Sequence, residues 1–125
     1  MNLKTKHKIK IYKATLQIVL TDSPEYANKA IGVPYFQLDE TLYATAHYSF
    51  KKSNEYFTIV LNPLYPYKAL DHGTIAHECV HIAHMILNSR GVIADYDNDE
   101  PEAYLLGMIS NKVYKFLNKY EIPVG

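Results

Sequence analysis

Tryptophan is absent from this 125-residue chain and cysteine occurs once. The lone thiol, Cys79, rules out an intramolecular disulfide framework and fits a reducing compartment. Net charge is missing too. Thirteen Lys and Arg balance thirteen Asp and Glu, which disfavours a general polyanion binder. No apolar run approaches the ~20 residues that a membrane-spanning helix requires. Repeats and low-complexity linkers are lacking. The basic start, Met1 to Lys8, is like the n-region of a secretory signal. Lys10, Lys13 and Gln17 nevertheless interrupt the apolar stretch behind it, and no small-residue cleavage site closes that stretch. A cytoplasmic protein is the expectation.

What is present suits one soluble globular domain over residues 1–125, with 1–7 and 120–125 as flexible ends. Hydrophobic residues make up 48% and charged residues 21%, an ordinary globular balance. Twelve tyrosines against four phenylalanines suggest half-exposed sheet faces, because Tyr joins strand propensity to a polar tip.

Residues 9–20 open with alternation and end in a β-branched run, which predicts a strand. Asp22, Ser23 and Pro24 then signal a short helix over 25–30 that stops at Gly32. Two further strands are expected over 41–50 and 56–61, joined by a compact polar hairpin connection. Pro63 and Pro66 break the sheet, since proline supplies no ladder donor. Beyond them the hydrophobic period changes from 2 to 3.6. One helix is expected over 68–88, stopped by Gly91, and after an acidic loop a second over 100–119. The fold class is α+β: a twisted antiparallel or mixed sheet of three to four strands on two long helices.

The chemistry lies in His77-Glu78-Cys79-Val80-His81. Residues four apart share a helix face about 6 Å apart along the axis, so two imidazoles can converge on one ion. Zn²⁺ accepts such nitrogens and, for catalysis, needs a third protein ligand and an open position. Glu78, about 100° round the helix, is placed to touch a water there without ligating the metal. With six His and seven Glu, composition alone produces this pattern about once or twice in a hundred such chains. Context strengthens it. His77, His81, His84, Glu78 and Thr74 share one side of the wheel, and an apolar stripe through Cys79 and Ile82 fills the other. The plainer alternative is an amphipathic helix with a His-rich solvent face.

The third ligand is expected from the acidic start of the last helix. Glu100 shares a face with Ala103, Gly107 and Asn111, small residues that would allow a close approach to the His77 helix. Glu102 lines up with Leu106, Ile109, Val113 and Phe116, a packing face. Glu100 is favoured, with Glu102, Asp99 and His84 as alternatives. Both glutamates also suit a helix N-terminus for dipole reasons alone.

His77-Glu78-x-x-His81 followed by Glu100-x-x-Ala103 on a second helix resembles the gluzincin branch of the zincin metallopeptidases. The small single-domain form is similar to metallopeptidase-like proteins of phages and mobile elements. The resemblance implies that His77, His81 and Glu100 hold zinc and that Glu78 is the general base. It implies metal-assisted peptide hydrolysis of a peptide or protein substrate. An extended peptide would pair with the edge of the 41–50 strand, where Thr45 and His47 would select side chains. Two other readings compete. One is an inactive zincin scaffold with a structural metal, in which Glu78 would have no use. The other is a nucleic-acid accessory protein, disfavoured by zero net charge and the lack of a recognisable binding motif.

Other residues have ordinary explanations. His84 is expected beside the site or in solvent, and His72 near the helix start as capping support. Cys79 reads as a buried inert thiol. Tyr96 and Tyr104 stand within reach of an oxyanion, though packing is the default. Lys4, Lys6, Lys8, Lys10 and Lys13 are expected to protect a strand edge from aggregation, with contact to nucleic acid or another acidic partner as the alternative.

Overall fold

The computed structural model of the chain describes residues 1–32, 44–63, 70–93, 95 and 97–125. Among these, four strands form one mixed sheet and three helices cover it: β1 (Asn2–Ile9), β2 (Ala14–Thr21), α1 (Pro24–Ile31), β3 (Ala44–Lys51), β4 (Asn54–Leu61), α2 (His72–Ser89) and α3 (Glu100–Lys119). The order across the sheet is β1-β2-β4-β3. β1 pairs antiparallel with β2, β2 parallel with β4, and β4 antiparallel with β3. No helix among the described residues is long and apolar enough to cross a membrane.

Side-chain parity on the strands assigns the layers. Leu16, Ile18 and Leu20 of β2 and Phe57, Ile59 and Leu61 of β4 enter the main core with the apolar stripes of α2 and α3. Val19 and Val60 point the other way, against Ala27, Ala30 and Ile31 of α1. On that second face Gln17 is buried, and its Nε2 donates to the Ala30 carbonyl at 3.0 Å. The result is α1, sheet, then α2 with α3.

Local chemistry fixes the element ends. The Ser23 hydroxyl accepts from the Tyr26 amide at 3.2 Å, and Gly32 closes α1 at φ 84°, a conformation that suits glycine. Asp71 caps α2, accepting from the Gly73 amide at 3.1 Å. The β3–β4 hairpin turns on Lys52 and Ser53, both at positive φ.

Three expectations change. The expected 9–20 strand is shortened to 14–20 of β2: Ile9 ends β1, and a 3₁₀ turn at Lys10–Tyr12 with a left-handed Lys13 reverses the chain between them. Residues 1–7 are no loose end: Asn2–Ile9 is an edge strand in full register with β2. The 120–125 tail is tied down as well. The Leu70 amide donates to the Pro123 carbonyl at 3.0 Å, and the Gly125 amide to the Leu70 carbonyl at 2.9 Å. Residues 41–43 of the expected third strand and 68–69 of the expected long helix lie outside the described residues.

Arg90, just past α2, joins three parts of the chain. Its Nε donates to the Tyr12 carbonyl at 2.8 Å, and its Nη2 donates to Glu55 Oε1 at 2.8 Å. The guanidinium holds the Glu55 carboxyl below its ordinary range. This clamp pins the β1–β2 connection and β4 to the C-terminal end of the motif helix.

Candidate metal centre

α2 turns its buried stripe of Ile75, Cys79, Ile82, Ala83, Ile86 and Leu87 to the sheet, so the opposite side carries His77 and His81 outward. Both are exposed. Their Nε2 atoms stand 3.0 Å apart, with ring centroids 4.6 Å apart and planes at 76°. Two nitrogens bound to tetrahedral zinc at 2.0–2.1 Å would lie about 3.3–3.4 Å apart, only a few tenths of an ångström from this separation. The donor pair therefore fits two positions of a zinc ion. The same geometry also fits a single shared proton. Glu78 is half-buried beside the pair. Burial pushes its carboxyl up from the ordinary range, while His81 and His77 pull it back.

Glu100 begins α3 and is exposed, on the helix side opposite the buried Leu105, Ile109 and Val113. Both helices pack against the same face of the sheet, so the His77–His81 side of α2 and the Glu100 side of α3 look outward together. They do not meet. Among the described residues no group of three His, Cys, Asp or Glu side chains is gathered to hold an ion. The expected close approach through Ala103 and Gly107 is also corrected. Both are exposed, and a Cβ built at Gly107 would have nothing within 4 Å, so this face is not pressed against α2.

Glu102 occupies the packing side, as its alignment with Leu106 and Ile109 implies, and its Oε1 lies 2.5 Å from His84 Nε2. Sequence reasoning misses that contact, although its signal is present: His84 lies one turn past His81, and Glu102 is the first-turn acid on the buried stripe of α3. His72 Nδ1 lies 2.7 Å from the Tyr114 hydroxyl. With His84–Glu102, this contact shows that α2 and α3 run antiparallel, which sets Glu100 toward the His84 end of α2.

Cys79 is buried, hydrogen-bonded to Ser110, and its thiol is pushed up to about 11 by desolvation, as befits an inert group. Tyr104 is 64% exposed rather than packed. Tyr96 lies outside the described residues. The edge-strand expectation needs one correction. Thr45 and His47 pair with Val60 and Thr58, so they share the α1 face of the sheet. The β3 side chains on the other face, which α2 covers, are Ala44, Ala46, Tyr48 and the exposed Phe50; the Tyr48 ring lies 5.3 Å from that of Phe57.

Comparison with protein-family models, with curated proteins and with solved structures gave no match.

Proposed function

We propose that this chain is a small zinc-dependent peptide hydrolase of gluzincin type. The observation that supports it best is the convergence of the His77 and His81 Nε2 atoms to 3.0 Å with the half-buried Glu78 alongside. His77 and His81 would hold the ion; Glu100, on the same outward side but toward the His84 end of α2, is the proposed third ligand and would have to be drawn to them when zinc binds. When bound, zinc supplies Lewis acidity toward a scissile carbonyl and lowers the pKa of a water. Glu78 takes a proton at its carboxylate oxygen and returns it to the leaving amine, a role helped by the raised proton affinity that burial gives it. Among the described residues β3 is the sheet edge that packs along α2, so an extended peptide would align there beside the motif helix. A cytoplasmic setting suits the single reduced, buried thiol.

Zinc affinity, measured by competition with a chromogenic chelator, tests the ligand set. His77→Ala and His81→Ala should each weaken binding by more than about 100-fold. Glu100→Gln should weaken it by about 10–100-fold, while Glu102→Gln stays near the parent value. The reverse order for the two glutamates would transfer the third position to Glu102. Zinc held as tightly by His77→Ala as by the parent would refute the centre.

A further inference from the structure

The positive and negative side chains cancel in number but not in place. Asp95, Asp97, Asp99, Glu100 and Glu102 fall within eight residues that contain no Lys or Arg. The lysines gather elsewhere, around the β1 edge of the sheet.

On one side of β1 lies a cleft of about 370 Å³ against the C-terminal half of α3, lined by Lys4, His7, Lys112, Lys115, Lys119 and the ring of Tyr120. The three α3 lysines are spaced by three and four, so they form one stripe facing the strand. A smaller hollow of about 200 Å³ continues along α3 and shares Lys112 and Lys115. On the opposite face of the sheet a cleft of about 170 Å³ is lined by Lys6, Lys51, Lys52 and Tyr56, and Lys4 borders this one too. No Asp or Glu lines any of the three among the described residues. The shared lysines make them one basic track that turns around the sheet edge. Burial lowers the pKa of His7 and the Lys112 charge lowers it further, so the main cleft holds a positive field around a neutral imidazole. Edge protection explains Lys4, Lys6 and Lys8 on β1. It does not explain a lysine stripe on α3 aimed at the same cleft, or Lys51 and Lys52 beyond the other face.

We propose that this track binds single-stranded nucleic acid through its phosphate backbone. Two tyrosine rings, Tyr56 and Tyr120, border the clefts among the lysines, where they would stack on bases once the ammonium groups over them turn to phosphates. Lys6 Nζ lies 5.0 Å from the Tyr56 ring centroid and Lys119 Nζ 5.4 Å from that of Tyr120, which is 36% exposed. The turn around the sheet edge suits a flexible strand, whereas a duplex stays stiff over about 150 base pairs. None of the lining residues lies on α2, so the track is separate from the His77–His81 pair and does not depend on a metal there.

Fluorescence anisotropy of a labelled, mixed-sequence DNA strand of about twenty nucleotides tests it. Micromolar binding at low salt is expected, with log affinity falling against log salt by about 0.7 per phosphate contacted. The double variant Lys112→Glu/Lys115→Glu should weaken binding at least about tenfold, and Lys4→Gln/Lys6→Gln should weaken it in the same direction. Lys10→Glu/Lys13→Glu, with the same charge change off the track, should stay within about threefold. Zinc affinity should be unchanged in all three. Absence of binding would overturn the proposal. Equal losses in the track and control variants would do so too, as would equal or tighter binding of the matching duplex or of anionic lipid vesicles.

Discussion

Replacing Glu78 by Gln is expected to leave zinc affinity near the parent value and to lower kcat/KM on a quenched-fluorescence peptide panel by about 10²–10⁴-fold. A tenfold change corresponds to about 1.4 kcal/mol, so the loss amounts to roughly 3–6 kcal/mol of transition-state stabilisation. The reasoning is local. Gln keeps the shape and hydrogen-bonding length of the side chain but cannot take a proton at the position where Glu78 sits half-buried beside His77 and His81. The substitution removes a charge that burial disfavours, so the fold should tolerate it. Far-ultraviolet circular dichroism checks that point. Full cleavage by this variant would remove Glu78 from the base role, whereas loss of zinc along with activity would make it a ligand.

The largest stability effect is expected at Phe57. This ring is fully buried at the centre of the sheet, where Phe57 pairs with Leu16 of β2 on one side and Tyr48 of β3 on the other. The Arg90 guanidinium lies 5.9 Å from its centroid, so the ring also seats the clamp that holds Glu55 and the β1–β2 connection. Phe57→Ala should cost about 3–5 kcal/mol through lost transfer and an unfilled cavity. For a domain whose whole stability is about 5–15 kcal/mol, that is a large share. Urea unfolding of the metal-free protein measures it, with an unchanged m-value showing that the same surface unfolds. Phe50→Ala is the control: Phe50 is 68% exposed at the end of β3, and its loss should stay within about 0.5 kcal/mol. Equal costs at the two positions would contradict the difference in burial assigned to them.

The helices are legible in the sequence because their signals are local. Ser23, Pro24 and Gly32 bound α1, and the change of hydrophobic period with Gly91 and Pro101 places α2 and α3. The histidine pair follows from i, i+4 spacing alone. The split of residues 9–20 is hidden because Ile9-Lys10-Ile11 keeps alternating through the reversal, and the residue that turns left-handed is Lys13, not a glycine. The parallel β2–β4 pairing needs a crossover whose partner no local pattern specifies. Strand parity reverses the roles expected of Thr45 and His47. An alternating strand reveals that two faces exist, but only the register against β4 decides which of them α2 covers. Net charge misleads in a similar way, since a sum of zero says nothing about the lysines of β1 and α3 meeting in space.

A zinc anomalous-difference map from crystals of protein purified without added metal tests the centre most directly. One peak between the Nε2 atoms of His77 and His81, with a Glu100 oxygen as its third protein neighbour, is the expected result. Rings still joined nitrogen to nitrogen with no peak between them, or a peak confined to His84 and Glu102, would contradict it.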